Sequence, residues 1–578
     1  MFEAVNVHTD YGEERAESKQ EADKKDAAVN ISFFMKNTAR LQPYSKAVVC
    51  PAGKDKDGRA AWSHLTFLQL ERLADRYAAG LEQAGITRGT RTILMVKPGI
   101  EFFGLMLGLF KVGAVPVVVD PGMGIKRMLH CLAESRASAF IGIPIANALR
   151  VLFPSYFKTV TTAVTAGRRW FWRGTTLKKM RNRPWKEYVI ADTTRDELAM
   201  VAFTTGSTGP AKGVQFTHGM MEAQVRSLQS EYNVGRGEVG LHTFPVFALF
   251  DCCLGATSII PDMDPQKPAR VNPASVIDPV LAHGVTYMFG SPALVRRVGR
   301  YGAKKGIKLP TLKKVLTAGA PVQLKVLENF FSMLSSDSEI HTPYGATEAL
   351  PVSSMPGREI LKEADSENPL SRGVCVGRPV ANTTVEIIRI TDKPIKHWAE
   401  AFIVSDGDIG EIVVQGPQVS TGYFDRPDED ASGKIFDGNT ILHRMGDVGW
   451  KDTKGRIWIC GRKKQRVITK EGTLYTIPCE SVFNLHPKVF RSALVGIGSD
   501  DIKRPVICIE LKRGVHFWER KKIEDELLNM AGKNEMTQPV KKVLFHRAFP
   551  VDIRHNAKIF REQLVIWAEK KISGKKYK

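Results

Sequence analysis

The chain has 578 residues, more than one hydrophobic core organises, so two or more domains are expected. At 43% hydrophobic residues, with no apolar run long enough to span a bilayer, the composition is that of a globular chain and excludes a helical membrane protein. A net charge of +22 asks for an anionic partner beyond nucleotide, and without a helix-turn-helix, zinc-finger or RNA-recognition signature the expectation is anionic lipid and no nucleic acid.

The N-terminal stretch MFEAVNVHTDYGEERAESK is acidic and is not read as a signal peptide, and residues 1–30 are expected to be a disordered lead. A large domain is expected over 31–460. Phe67 to Leu81 carries apolar residues at helical spacing, Thr92 to Val96 reads as a strand, Glu101 to Val112 as an apolar helix and Val115 to Val119 as a buried strand. This alternation predicts an α/β fold with a doubly wound, mainly parallel sheet.

Gly167 to Trp185 interrupts the alternation with seven arginines and lysines, no acid and four large aromatics. Cations interleaved with Trp and Phe suit a membrane interface, while a solvated basic loop whose tryptophans pack on the domain stays open. Phe203 to Gly219 follows as FTTGSTGPAKGVQFTHG. Gly206, Gly209 and Gly213 free the backbone to turn its N–H groups on an anion, Thr204, Thr205, Ser207 and Thr208 add hydroxyl donors, and Lys212 adds a mobile charge. A polyphosphate is the expected guest. The spacing is not that of a Walker A loop, because Lys212 follows Pro210-Ala211 and precedes Gly213.

Phe244 to Gly255 is apolar without a net period, as in a segment lining a hydrophobic cleft, and residues 315–321 read as a strand ending in a glycine turn. Gly410 to Tyr423 looks like short antiparallel strands of a small β-barrel. A hinge is expected at 461–464 and a small α+β unit at 465–578, ending in a basic tail. The eight cysteines lack C-x-x-C spacing, which argues against zinc and disulfides and for reduced, mostly buried thiols in a cytoplasmic protein.

The phosphate loop resembles the signature loop of the adenylate-forming superfamily, which includes acyl-CoA synthetases, peptide adenylation domains and luciferases. Further segments extend the likeness in the family's order. The resemblance implies a large domain of αβα layers plus a small β-barrel, followed by a mobile C-terminal lid. It implies ATP and Mg²⁺ as cofactors: Tyr344 packing on adenine beside Gly345, Thr347 on the α-phosphate, and Glu348 holding the metal, since a carboxylate beside a triphosphate needs a hard cation between them. Gly319, Ala320 and Pro321 would run along the adenine, Asp447 would accept the ribose hydroxyls, Arg462 would lie near ribose and phosphate, and Lys464 would be the hinge residue. Lys558, preceded by Ala557 where the family usually has Gly, would reach the carboxylate and α-phosphate, acting with Lys212, Thr347 and Glu348 in catalysis.

Two departures bear on the second half-reaction. Pro245-Val246-Phe247 is followed by Ala248 where acyl-CoA ligases commonly carry histidine, and Thr469 to Thr476 lacks the pattern that frames a pantetheine tunnel. The strings FPVFALFDCCLG, FGSPAL, HTPYGATEALPV, HRMGDVGW and FPVDIRHNAKI resemble those of the β-lactone synthetases of bacterial olefin biosynthesis. That resemblance implies a 2-alkyl-3-hydroxyalkanoic acid, adenylated and then closed by its own 3-hydroxyl, with partner enzymes in the pathway; a long-chain acyl-CoA or acyl-ACP ligase is the alternative. Phe247, Ala248, Gly290 and Ser291 are expected to line the lipid pocket, His341 is the candidate base, His218 is expected to be a packing residue, and the 167–185 segment is expected to touch the inner face of the membrane.

Overall fold

The computed structural model describes residues 28–204, 211–364, 372–498, 501–551 and 559–573. Among these, the strands form sheets of seven and fourteen strands, a three-stranded sheet and a two-stranded ribbon. The alternation read from the sequence is present as helix Phe67–Gln83, strand Arg91–Met95, helix Ile100–Lys111 and strand Val115–Val119. The first helix starts where Thr66 and Gln69 satisfy each other's backbone N–H groups in a capping box.

In the seven-stranded sheet the order is Thr175–Thr176, Thr162–Thr165, Ala139–Gly142, Arg91–Met95, Val115–Val119, Leu198–Thr204 and Lys212–Thr217. All pairs are parallel but the last, where Thr204 faces Lys212 in an antiparallel ladder. The fourteen-stranded sheet has a parallel part, including Val239–His242, Tyr287–Gly290, Lys314–Thr317 and Glu339–Ala346. It passes through Ala349–Pro356 into an antiparallel set containing Val374–Pro379, Ile457–Arg462, Thr440–Lys451 and Gly410–Gln415.

Helix Ile100–Lys111 is apolar and buried nearly all round. Gly104 lets it press on Phe67–Gln83, since a Cβ there would lie 2.8 Å from Leu73 Cδ2. At its end the fully buried Lys111 donates to Glu71 and, at 2.6 Å, to Asp75, whose other oxygen accepts the Trp185 indole N–H at 3.0 Å. Burial pushes the Glu71 carboxyl above its usual range, and Lys111 opposes that shift.

From Val467 onward a separate core forms between the ladder Val489–Ile497, Arg504–Leu511, Val543–Phe545 and the helices Thr476–Asn484 and Arg520–Gly532, with Phe483, Leu494, Ile507 and Leu527 at its centre. Helix Arg561–Ile572 covers the other face through Leu564 and Trp567.

Two expectations change. Val29 and Asn30, placed in the disordered lead by their polar surroundings, are tied down: Val29 donates to the Thr193 carbonyl at 2.7 Å, and Asn30 donates to the Phe110 carbonyl at 2.8 Å while capping helix Ile31–Leu41. Residues 1–27 lie outside the described residues. Within 167–185, Trp172 is buried and donates to Thr165 Oγ1 at 2.9 Å, and Trp185 lies under Arg72, so only part of that segment is free to meet a membrane. All cysteines are free, with Cys375 half-buried and the others buried. No helix among the described residues is long and apolar enough to cross a membrane.

Replacing Lys111 with Ala strands two buried carboxylates. Urea unfolding of Lys111→Ala is expected to show a loss of about 3–5 kcal/mol relative to wild type, and a loss below about 1 kcal/mol would contradict this account of the pair.

Candidate active site

The C-terminal edges of the parallel strands open on one cavity of about 2260 Å³. Its polar wall is assembled from strands that arrive from different parts of the chain. Asp447, on Thr440–Lys451, faces Arg462 across an antiparallel ladder, and Arg462 Nε lies 3.1 Å from Asp447 Oδ1. The Tyr344 hydroxyl, from Glu339–Ala346, donates to Asp447 Oδ2 at 2.7 Å. Arg462 also donates to the Met445 carbonyl at 3.0 Å. The Asp447 charge raises the Arg462 pKa above its ordinary value, and burial followed by Asp447 raises that of Tyr344. Gly319, Ala320 and Pro321 line the cavity beside this group, and Gly319 takes a φ of 97° that favours glycine.

The second polar cluster forms around Lys212. Its strand is pinned by the segment after it in space: Gln215 donates to the Gly422 carbonyl at 3.0 Å, and Phe424 donates to the Gly213 carbonyl at 2.7 Å. These bonds bring Tyr423 beneath Lys212, whose ammonium pairs with Glu429 and sits 4.7 Å from the Tyr423 ring centre. The Tyr423 hydroxyl donates to Glu348 Oε1 at 2.7 Å, and burial followed by the Glu348 charge raises its pKa. Behind them Lys434 is buried, with its ammonium donating to Ser420 O at 2.6 Å and Ser420 Oγ at 2.9 Å. Desolvation pulls its pKa down to about 8.

Lys464 lines the same cavity and is exposed. Its neighbour Lys463 is buried and pairs with Glu411 at 2.9 Å, a carboxylate that also takes Arg444 at 2.6 Å, so the chain is anchored one residue before Lys464. Ile559 and Arg561 border the cavity from the C-terminal unit, with the Arg561 guanidinium held by Glu480 at 2.7 Å. Gly345, Thr347 and Glu348 line it too. Thr205, Gly206, Ser207, Thr208, Gly209 and Lys558 lie outside the described residues. Thr204 is the last residue of its strand, opposite Lys212.

The apolar wall carries corrections. Phe247 and Ser291 line the cavity, but Ala248, Gly290 and His341 do not. Ala248 begins helix Ala248–Leu254, whose register turns Phe247 toward Phe289, 4.6 Å between ring centres, and Ala248 into the core at 0% exposure. That helix is fixed by a buried network the sequence did not announce: His242 Nε2 is 2.6 Å from Asp251 Oδ2, and the Tyr287 hydroxyl donates to Asp251 Oδ1. Gly290 sits against Leu294, where a Cβ would be 3.1 Å from Leu294 Cδ2. His341 is half-buried and packs edge-on against Tyr232 at 5.2 Å, and burial lowers its pKa. His218 is buried against Phe110, with its pKa brought down to about 4 by desolvation.

Sequence reasoning also missed Tyr423, Glu429 and Lys434. The acidic stretch DRPDED, which begins at Asp425 after Tyr423-Phe424, was the available signal for Glu429.

The arrangement offers a carboxylate held by Arg462 and Tyr344 at one end, the Lys212 cation with the cavity-lining carboxylates Glu348 and Glu429 in the middle, and an apolar chamber at the other. Among the described residues no group of three or more potential metal ligands exists. A cation beside Glu348 would complete its shell from phosphate oxygens and water, as Mg²⁺ does.

Residues 35–424 match the family described as AMP-binding enzyme. The chain is 44% identical over 547 residues to the olefin beta-lactone synthetase of Stenotrophomonas maltophilia (strain K279a), covering 93% of this chain and 98% of that protein. It is 43% identical over 546 residues to the olefin beta-lactone synthetase of Xanthomonas campestris pv. campestris, covering 93% and 97%. Among solved structures, the amide bond synthetase McbA from Marinactinospora thermotolerans superposes with a TM-score of 0.74 at 20% identity, covering 93% of this chain and 99% of that one, which shows the shared fold.

Asp447→Asn should weaken ATP about 10- to 100-fold, the loss of a charge-assisted bond, as read from the ATP dependence of pyrophosphate exchange; unchanged dependence would exclude the ribose role. Lys434 gives a pH test. Its native pKa of about 8 lies below the ordinary 10.5, so between those values the unfolded chain holds a proton that the native chain has shed, and stability rises with pH. The difference in unfolding free energy between wild type and Lys434→Met should grow by about 3 kcal/mol from pH 8 to pH 10.5; a flat difference would show that the ammonium is not desolvated.

Proposed function

The chain belongs to the AMP-binding enzyme family, and from that premise we propose that it uses ATP to adenylate a long-chain 2-alkyl-3-hydroxyalkanoic acid and closes the adenylate to a β-lactone. The observation that carries this reading is the continuity of one cavity. Its nucleotide wall, with Asp447, Tyr344 and Lys212, runs without a partition into an apolar chamber lined by residues such as Phe102, Phe247 and Phe250. The identity of the relatives supplies the substrate class.

In the first step a carboxylate oxygen of the acid bonds to the α-phosphorus of ATP, the bond to the β-phosphate oxygen breaks, and pyrophosphate leaves. Asp447 accepts the ribose hydroxyls, with Arg462 and Tyr344 holding its orientation. Lys212 exchanges Glu429 for phosphate oxygens, and residues 204–209 supply N–H and hydroxyl donors to the same phosphates. Glu348 would hold Mg²⁺, which when bound offsets the phosphate charge. Lys558, carried on the lid that turns about Lys464, stabilises charge accumulating on the α-phosphate.

In the second step the 3-hydroxyl oxygen bonds to the adenylate carbonyl carbon, the bond from that carbon to the phosphate oxygen breaks, AMP departs with the electron pair, and one proton is released. Because nucleophile and electrophile belong to one molecule held in one chamber, effective molarity offsets part of the ring strain, and no thiol needs to enter. The apolar walls keep water from the adenylate, the competing acceptor.

Mass spectrometry after incubation with ATP, Mg²⁺ and a syn 2-alkyl-3-hydroxy acid should show a product lighter than the acid by one water, with AMP, whether or not CoA is present. An acyl-CoA formed only when CoA is supplied would replace this reading with thioester formation.

A further inference from the structure

The apolar chamber does not end inside the protein. Ile125 and Ile145 both line it, yet they are 63% and 71% exposed, so it opens between the helices Ile125–Glu134 and Pro144–Leu152. Leu152 and Phe153 continue this apolar rim into solvent. The 167–174 loop lies against the start of the second helix, close enough that a Cβ on Gly167 would stand 3.4 Å from Pro144 Cδ. Within that loop, Trp172 is held in the interior by its bond to Thr165, which leaves Trp170 and Phe171 outside, 54% and 77% exposed.

Cations surround this apolar tip. Arg168, Arg169 and Arg173 are exposed in the loop, and Lys126 and Arg127 are exposed next to Ile125. No described carboxylate forms an ion pair with any of the five. Between loop and helix lies a small cavity of about 240 Å³ bordered by Arg150, Arg173, Thr161 and Trp172. Arg150 Nε is buried there without a hydrogen-bond partner, and its guanidinium faces the Phe140 ring at 5.8 Å rather than an acid. The residue as a whole is half-buried, and partial desolvation lowers its pKa.

Each feature selects among partners. Nucleic acid would use the cations but would gain little from exposed Ile145 and Leu152. An ordinary protein surface would not gather unpaired arginines around an aromatic tip. A bilayer uses both, because aromatic and aliphatic side chains settle at headgroup depth while arginines meet lipid phosphate.

We propose that this face docks on an anionic lipid bilayer. Trp170 and Phe171 enter the headgroup layer, Arg150 and Arg173 receive a lipid phosphate in the small cavity, and the opening at Ile125 and Ile145 admits the long-chain acid from the membrane into the chamber. The admission step rests on the long-chain reading above; the docking step does not.

Co-sedimentation of the full-length protein with phosphatidylglycerol/phosphatidylcholine vesicles and with phosphatidylcholine vesicles tests this. Wild type should pellet with the anionic vesicles and remain largely in solution with the neutral ones. Trp170→Ala/Phe171→Ala should weaken binding at least about tenfold, since two large apolar groups no longer enter the interface. Arg150→Gln/Arg173→Gln should lower the preference for the anionic vesicles. Lys304→Gln/Lys305→Gln removes two exposed charges at the end of the distant helix Pro292–Lys305 and should leave partitioning unchanged. Equal partitioning of wild type and Trp170→Ala/Phe171→Ala would overturn the proposal, and so would an equally large loss in Lys304→Gln/Lys305→Gln, which would mean diffuse attraction by net charge. Sedimentation reads no turnover, so a failure of docking and a failure of the enzymatic reading are separate results.

Discussion

A buried carboxylate needs partners, and the nucleotide end of the cavity is organised by how Asp447 obtains them. One partner, Arg462, is its cross-strand neighbour in the antiparallel set, and the other, Tyr344, comes from the last parallel strand before the sheet changes direction. The register of the Asp447–Arg462 ladder therefore decides whether the site exists: a slip of one residue would turn Asp447 to the opposite face and leave its acceptors unmatched. The long sheet that joins parallel and antiparallel parts makes this convergence possible, because Glu339–Ala346 pairs with parallel Lys314–Thr317 on one side and antiparallel Ala349–Pro356 on the other.

The charges at the centre are mutually satisfied without a ligand. Lys212 has Glu429, Glu348 has the Tyr423 hydroxyl, and Lys434 has the two oxygens of Ser420. Such a site is held by its own contacts, and in the proposed reaction phosphate would have to displace a carboxylate from Lys212. Only a strongly anionic ligand makes that exchange favourable. The freed Glu429 and the nearby Glu348 then favour a ligand that carries a divalent cation with its phosphates.

The apolar end follows different physics. There the walls are set by packing, and helix Ala248–Leu254 presents Phe247 to the cavity because the His242–Asp251–Tyr287 network fixes its rotation. A polar network at the base of an apolar wall holds orientation that dispersion contacts alone would leave loose. In the proposed reaction this chamber would serve both half-reactions, retaining the alkyl chains and keeping water from an acyl phosphate whose intended acceptor is in the same molecule.

By itself the sequence determined what local chemistry can express. Periodicity located two helices and two strands of the first sheet to within two residues, and the spacing of Gly, Ser, Thr and Lys led to the expectation of a phosphate loop because such loops are built from consecutive residues. Residues that line the cavity together, Lys212, Tyr344, Asp447 and Arg462, were legible because each sits in its own short motif. What only the tertiary structure decided is which way side chains turn and whom they meet at a distance. Tyr423 reaches Glu348 across 75 positions and Glu429 reaches Lys212 across 217, contacts that no local pattern encodes. Ala248 and His341 look like site residues in a string of neighbours, but one helix register buries Ala248 and one aromatic partner, Tyr232, takes the half-buried His341. The same holds for 167–185, where composition offered four equivalent aromatics and the fold divided them, burying Trp172, tying the partly exposed Trp185 to Asp75 through its indole N–H, and leaving Trp170 and Phe171 in solvent. Exposure is a property of the packed surroundings, and those surroundings are supplied by residues far away along the chain.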